Sequence, residues 1–462
     1  MKRSVESELS RELSLFHITM MGVGMMIGAG VFVTTGIGVG VAGPGGILMA
    51  FALNGLLAFL SVMTYAELAS AIPHAGAGYS YVQRSMGGFT GFFSGWISWF
   101  AHAVAGSLYA IAFSKYTLHF LSPLELFPWL NANLPLFEKG LAVLTALVFI
   151  YINYRGASET GTAGAVMAMG QTVVLGVIGL AGVIVAIKNP GRMGNFEPFL
   201  PSGWGKVLVV MGFSLVGYEG YEVIANTAEE VVDAKRNVPR GIFYAAMIVI
   251  TTYLLVAFAA IVGVEASGES VVEWFKARGA TAFGDAISQL LPFGDLLVTL
   301  AAVFASTSAL NATLYSSTRI FFALGRDGYL PRSFSHISRK TRIPSMALLF
   351  SGGLTIFIAA AFPVEVVCSG ASLFFIALFS LVTVAVIKTR KEQGDTLSYG
   401  YLMPFFPLVP LTSLAGHLVI GVFLLDMGAV AYIIAGIWVG IGVLLYCLYS
   451  RSSAMEGRER KV

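Results

Sequence analysis

Long apolar stretches alternate with short polar or Gly/Pro-bearing connectors from one end of the chain to the other. Most stretches reach the roughly 20 residues that an α-helix needs to cross a bilayer. The pattern predicts twelve spans, over 15–41, 45–71, 88–120, 138–154, 162–187, 205–228, 240–264, 293–324, 344–362, 366–388, 401–424 and 428–450. The widest connectors are Lys188–Gly205, Glu265–Asp285 and Arg326–Arg342, and Ser122–Pro135 reads as an interfacial loop. The fold class expected is therefore an all-α polytopic membrane protein.

Two of the spans are interrupted. The first runs through Gly22-Val23-Gly24-Met25-Met26-Ile27-Gly28-Ala29-Gly30-Val31-Phe32, in a stretch with no charged residue between His17 and Glu67. The sixth carries Val216-Gly217-Tyr218-Glu219-Gly220-Tyr221-Glu222, two glycines and two carboxylates inside an apolar segment. Lipid offers no water to backbone groups, so a membrane helix unwinds only where something else binds the freed N–H and C=O groups. Close packing through Gly24-x-x-x-Gly28 is the alternative for span 1, but it does not explain a matching interruption five spans later. An odd number of spans per half makes the two halves enter from opposite sides, the parity of an inverted repeat. The expected division is an N-terminal segment 1–14, a first repeat 15–187, a second repeat 205–388, two further spans in 401–450 and a tail 451–462.

Composition agrees with the pattern. Of 462 residues, 56% are hydrophobic and only 11% charged, with a mean hydropathy of +0.80, against about 25% charged residues in a soluble domain. A nucleic-acid-binding protein is not indicated. Cys368 and Cys447 both lie in apolar stretches and suggest neither a disulfide framework nor a metal site. All Lys and Arg residues except Lys115, Lys139, Lys188, Arg192, Lys206, Lys276 and Arg278 fall on one side of the predicted topology, 21 of 28. The positive-inside rule makes that side, with both termini, cytoplasmic, and the plasma membrane is the location expected.

The chemistry follows from the breaks. A second half-helix points free N–H groups and the positive end of its dipole into the gap, so Ile27, Gly28, Ala29 and Gly30 suit a carboxylate. Carbonyls freed around Val216, Gly217 and Tyr218 suit an ammonium. A small molecule with both groups a few ångströms apart is an α-amino acid, although one break alone could hold another anion. A carboxylate at bilayer depth is costly and is read first as functional. Glu219, between two glycines, would face the break and carry a proton or touch the substrate amine; Glu222 either shares that role or bonds to neighbouring groups. His102 in span 3 either packs within its helix or faces the same cavity. The hydroxyls of Ser306, Thr307 and Ser308 in span 8 either bond back to their own helix or ligate a small cation such as sodium.

These residues, with the stretch Ala225-Asn226-Thr227-Ala228-Glu229-Glu230 followed by Pro239-Arg240, resemble the amino acid–polyamine–organocation superfamily of transporters. Asn311, Arg319, Arg326-Asp327-Gly328 with Leu330-Pro331, and Pro73, Gly76, Gly78 and Tyr79 belong to the same likeness, which covers about 15–449. The resemblance implies five-plus-five inverted repeats with discontinuous helices 1 and 6, two additional C-terminal helices, alternating access, and amino acid import or exchange. It places the substrate carboxylate at Ile27–Gly30 and the amine at Val216 and Gly217; Tyr218 and Tyr221 of the same break are further candidates for the substrate site. Three departures bear on specificity and coupling. Gln171 stands where cationic amino acid carriers have a lysine, Ala101 where they often have an acid, and Val216 where an aromatic often closes over substrate. The expectation is a carrier of neutral or broad specificity, coupled to H+ through Glu219, Glu222 or His102. The alternatives are sodium coupling, polyamine or amine exchange, and a channel or nutrient sensor on the same fold. No cofactor is expected, and no His-Glu-x-x-His motif or other reactive constellation suggests an enzyme.

Overall fold

The computed structural model describes residues 11–28, 30–121, 133–265, 268–362, 364–423 and 429–450. The segment 1–10, Ala29, most of the loop Ser122–Pro135 and the tail 451–462 lie outside the described residues, as does the side chain of Cys368.

Seventeen α-helices carry the chain: α1 Leu15–Ile27, α2 Gly30–Ala42, α3 Pro44–Ala71, α4 Ala77–Met86, α5 Gly88–Leu121, α6 Leu134–Arg155, α7 Ala157–Lys188, α8 Gly203–Ser214, α9 Tyr221–Asn226, α10 Ala234–Gly263, α11 Val271–Arg278, α12 Ala282–Leu290, α13 Gly294–Arg326, α14 Ser345–Ala361, α15 Val364–Gln393, α16 Leu408–Phe423 and α17 Ala429–Leu445, all among the described residues. Taken with α1–α2 and α8–α9 as single interrupted spans, ten segments are long and apolar enough to cross a membrane, and α14 and α16 are shorter apolar helices at the remaining two expected positions. Span 11 differs from expectation: helix begins only at Leu408, because 401–407 runs irregularly along span 2. There Ser70 Oγ accepts from the Gly400 and Tyr401 N–H groups (3.2 and 3.1 Å), and Glu67 Oε2 accepts from Met403 N–H at 2.8 Å.

Three short helices were not legible as spans because they are connectors. α11 starts with Ser270 and Glu273 capping one another, two orphan N–H groups answered reciprocally. α12 follows it, and α4 lies in the connector between spans 2 and 3. Span 1 packs closely on the second half of the chain. A Cβ on Gly24 would lie 1.9 Å from Ser308 Oγ in α13, and one on Gly220 would lie 2.6 Å from the Gly22 carbonyl oxygen and 2.8 Å from Met26 N. In lipid, such backbone proximity replaces the hydrophobic drive that holds soluble helices together.

One face of the bundle is tied by buried ions. Glu230 receives both Arg319 Nη2 (2.8 Å) and Arg319 Nε (3.2 Å), a fork that also takes the Tyr315 hydroxyl proton. The Glu230 carbonyl accepts from the N–H groups of Glu12 and Leu13, and Val232 N–H donates back to Leu13, so the N-terminal segment is paired to the connector after span 6. Beside it Glu229 bonds Arg326 at 2.8 Å and His74 at 3.3 Å, and Tyr79 donates to Asp327 at 2.7 Å. Burial alone would raise the Glu229 carboxyl above the ordinary 4.5, but His74 and Arg326 hold it down to about 2. Its contribution to stability is therefore complete above about pH 4.5 and is lost as pH falls toward 2.

Replacing Arg319 by Leu strands the buried Glu230 carboxylate, a loss of about 3–5 kcal/mol by the usual consequence of breaking such a pair from one side. The melting temperature of the detergent-solubilised protein is expected to drop sharply for Arg319→Leu and to stay near wild type for Arg339→Leu in the exposed connector; equal melting would show that the ion fork does not hold this face.

Candidate substrate and proton site

The first break arises at Gly28, whose φ of +45° and ψ of −162° end α1. A side chain is excluded there twice, by the positive φ and by Tyr109, whose Cε1 would lie 2.7 Å from a Cβ. α2 resumes at Gly30, leaving its first-turn N–H groups without helical partners. In the sixth span α8 tightens into a 3-10 turn, Leu215–Tyr218, and helix restarts at Tyr221. The two breaks face one another: a Cβ on Gly30 would lie 4.0 Å from Gly217 Cα.

One side chain joins them. The hydroxyl of Tyr253, from α10, lies 2.8 Å from the Met26 carbonyl, 3.1 Å from that of Ile27 and 3.2 Å from that of Gly217. A phenol has a single proton to donate, so three carbonyls compete for it. Gly217 is bare because a Cβ would sit 2.4 Å from that hydroxyl. Around the junction stand Tyr218 and Phe51, with ring centroids 5.0 and 5.1 Å from that of Tyr253, and Tyr109 against Gly28. Tyr218 donates to the Phe51 carbonyl at 3.0 Å. Val216 is buried in the same turn.

The carboxylates form a second cluster. Glu222 Oε1 accepts from Ser98 Oγ at 3.0 Å, and the Ser98 carbonyl accepts from His102 Nδ1 at 2.9 Å. That bond fixes the proton of a neutral His102 on Nδ1 and leaves Nε2 as an acceptor, buried and unpartnered. Glu219 is 0% exposed, and neither of its carboxylate oxygens has a hydrogen-bond partner. Its electrostatic neighbours are Glu222, Tyr65 and Tyr221. Tyr65, Tyr221 and Phe379 pack ring to ring at 5.1–5.8 Å, and the Tyr65 and Tyr81 hydroxyls are also unpartnered.

The structure thus brings Ile27, Gly28, Gly30, Val216, Gly217 and Tyr218 to one junction and gathers Glu219, Tyr221 and Glu222 beside Tyr65, with His102 one step removed behind Ser98. Ala29 lies outside the described residues. Gln171 reaches span 1 instead, its Nε2 donating to the Val23 carbonyl at 3.4 Å. Ser306 and Thr307 donate to carbonyls of their own helix, Ala302 and Val303, both at 2.7 Å, and it is Ser308 that abuts Gly24. Sequence reasoning missed Tyr253, Ser98, Tyr65 and Tyr81. The signal for Tyr253 was a phenol in the middle of a predominantly apolar span, since a buried tyrosine hydroxyl requires a partner.

Two interrupted spans meet at a buried junction inside a bundle of apolar helices long enough to cross a membrane, the arrangement in which transporters place their binding sites. The chain belongs to the amino acid permease family, whose pattern matches residues 13–451. It is therefore a transporter and not an enzyme. It is 28% identical to the branched-chain amino acid permease of Bacillus subtilis, over 97% of this chain and 95% of the relative. It is equally 28% identical to the methylthioribose transporter of the same organism, over 98% and 96%. A vacuolar cationic amino acid transporter of Arabidopsis thaliana is 29% identical over 84% of this chain and 64% of the relative.

Tyr253→Phe leaves three buried carbonyls without their shared donor. An orphaned buried group costs about 1–3 kcal/mol, so the melting temperature of substrate-free protein is expected to fall by several degrees. A variant melting with wild type would mean that the hydroxyl does not hold the breaks together.

Proposed function

We propose that this permease carries α-amino acids with uncharged side chains across the plasma membrane by alternating access, in symport with a proton. The observation that carries the reading is the convergence of the Met26, Ile27 and Gly217 carbonyls on one Tyr253 hydroxyl. Three acceptors with one proton between them match an ammonium, which brings three N–H donors. In this reading the Tyr253 hydroxyl stands in for the substrate amine, and the first turn of α2 receives the carboxylate. The side chain then lies among Phe51, Tyr109, Val216 and Tyr218, a setting that supports an apolar group, and the branched-chain relative points the same way. The methylthioribose relative supplies a second reading, a neutral polyol thioether in place of an amino acid.

Protons are assigned to the carboxylate cluster because Glu219 has neither a cation nor a donor to share its charge. A buried charge of that kind is costly, and a proton removes it. The two halves, 15–187 and 205–388, move as inverted repeats around the junction, with spans 11 and 12 outside them. The face bearing the Glu230–Arg319 fork is cytoplasmic, as the Lys and Arg distribution implies.

Purified protein is expected to be stabilised thermally by leucine, isoleucine and valine and not by lysine, arginine or spermidine, since ligands stabilise the state that binds them. Stabilisation by methylthioribose alone would favour the second reading. In proteoliposomes, leucine uptake should respond to an inward proton gradient without sodium, and Glu219→Gln should remove that response. Uptake that follows sodium, or a Glu219→Gln variant with wild-type pH dependence, would overturn the proton assignment.

A further inference from the structure

The connector between spans 8 and 9 is basic, and nothing in the chain neutralises it. No Asp or Glu occurs between Gly328 and Val364, and Arg332, Arg339, Lys340 and Arg342 are all exposed. Among the described residues none of these four forms an ion pair, whereas Arg319 and Arg326 of span 8 are engaged by Glu230 and Glu229. The turn that displays three of them is held in shape. Ser338 N–H donates to the Ile343 carbonyl and Arg342 N–H to the Ser338 carbonyl, both at 2.9 Å, and Thr341 N–H donates to Ser338 Oγ at 3.4 Å. Ile337 and Ile343 on either side of it are buried. The turn rests against the α6–α7 junction, since a Cβ on Gly156 would lie 3.7 Å from the Thr341 carbonyl oxygen. Glu159, the acid in the first turn of α7, interacts with Arg155 of the same junction.

Apolar surface adjoins this charge. α14 starts directly after the turn and packs on α6 at Gly352, where a Cβ would lie 2.4 Å from Ile150 Cδ1. About one turn from that contact α14 exposes Leu349 and Phe350, and α6 exposes Tyr151 and Tyr154, each by 45% or more. Phe350 also meets Phe334 of the connector edge to face, with centroids 4.9 Å apart. The first turn of α14 has neither a side-chain cap nor an acid, so its free N–H groups add to the positive field.

We propose that this basic turn and the apolar surface beside it bind a phospholipid with an anionic headgroup. Its phosphodiester is held among Arg339, Lys340 and Arg342, and its acyl chains lie on α14 and α6. The inference goes beyond the transport reading and does not depend on it. Two features select a lipid over a soluble anion. α6 and α13, which end at this connector, are long and apolar enough to cross a membrane, so the turn stands at headgroup level. The exposed Leu349 and the rings of Tyr151, Tyr154 and Phe350 offer nothing to an inorganic ion, but they suit acyl chains and the membrane interface. A zwitterionic lipid carries its own ammonium, which four unpaired cations repel. An anionic one supplies the missing counter-charge, and each Lys or Arg near the membrane surface strengthens that attraction about fivefold.

The test measures equilibrium binding to the full chain, purified in a neutral detergent and stripped of co-purified lipid. The probes are tail-labelled phosphatidylglycerol and tail-labelled phosphatidylcholine. Wild type is expected to bind phosphatidylglycerol saturably and about tenfold or more tighter than phosphatidylcholine. The triple variant Arg339→Gln/Lys340→Gln/Arg342→Gln is expected to lose on the order of 100-fold in affinity for phosphatidylglycerol, about fivefold per cation. Lys340→Gln alone should lose about fivefold and serves if the triple variant does not fold. Lys235→Gln/Arg236→Gln/Arg240→Gln removes the same charge from another exposed stretch, after span 6, and should bind as wild type does. Equal losses in the two triple variants would mean attraction to net charge alone. That result, an unaffected Arg339–Arg342 variant, or a wild type that does not distinguish the two lipids overturns the site. Displacement of the labelled lipid by millimolar inorganic phosphate would make it a site for the free ion and overturn the lipid assignment.

Discussion

The constraint on which the rest of this structure depends is that lipid answers no hydrogen bond. Helices cross the bilayer because they satisfy their own backbone, and the places where this chain stops doing so have to find partners elsewhere. At the junction of spans 1 and 6 the partner that reaches both breaks is a phenol, Tyr253, set 2.8–3.2 Å from three carbonyls. The glycines around it follow from the same demand. Gly28 takes a conformation that other residues resist, and Gly217 makes room for the hydroxyl itself. Unwinding here creates a surplus of acceptors, and that surplus is the chemistry available to a substrate. A transporter needs such a site to be satisfied in more than one way, because it must be stable both empty and loaded.

Carboxylates in the bundle divide into those that are answered by a cation and those that are not. Glu230, Glu229 and Glu67 each have an arginine within 2.8–3.4 Å, and they tie connectors to span ends on one face. Glu219 and Glu222 sit deeper, have no cation, and retain unpartnered oxygens. Buried pairs of the first kind specify geometry more than they add stability. In the proton-coupled reading the unanswered carboxylates are the groups that a proton would relieve.

The span pattern was legible in the sequence because hydropathy over about 20 residues reports burial in lipid directly. Both breaks were legible too, since glycine pairs and carboxylates contradict their apolar surroundings. Connector helices such as α4 and α11 were not, because an eight- to ten-residue amphipathic segment between spans has no signature distinct from a polar loop. The sites were legible only in part. Glu219 was expected beside the break, and its neighbours turn out to be Glu222, Tyr65 and Tyr221, because a residue that directly follows a 3-10 turn cannot be phased by α-helical periodicity. Tyr253 lies 36 residues beyond Gly217, in a different span, and nothing in its own segment marks the carbonyls it meets.

Separate placement of the proposed substrate junction and the carboxylate cluster bears on how the proposed coupling would work. The two are not isolated, because both are built on the same ten residues of span 6, from Gly217 through Asn226. Gly220 lies between them with its backbone pressed on Gly22 and Met26 of span 1, closer than any side chain would permit. A ligand that displaces the Tyr253 hydroxyl must therefore shift the Gly217 carbonyl or the end of α1, and either shift moves the segment that carries Glu219 and Glu222. Rigid packing at Gly220 turns a local change at one site into a displacement at the other, since close-packed interfaces pass strain on and do not absorb it. Under the proton-symport reading proposed above, coupling between substrate and proton would need no direct contact between them, only a shared, unwound and tightly packed stretch of backbone.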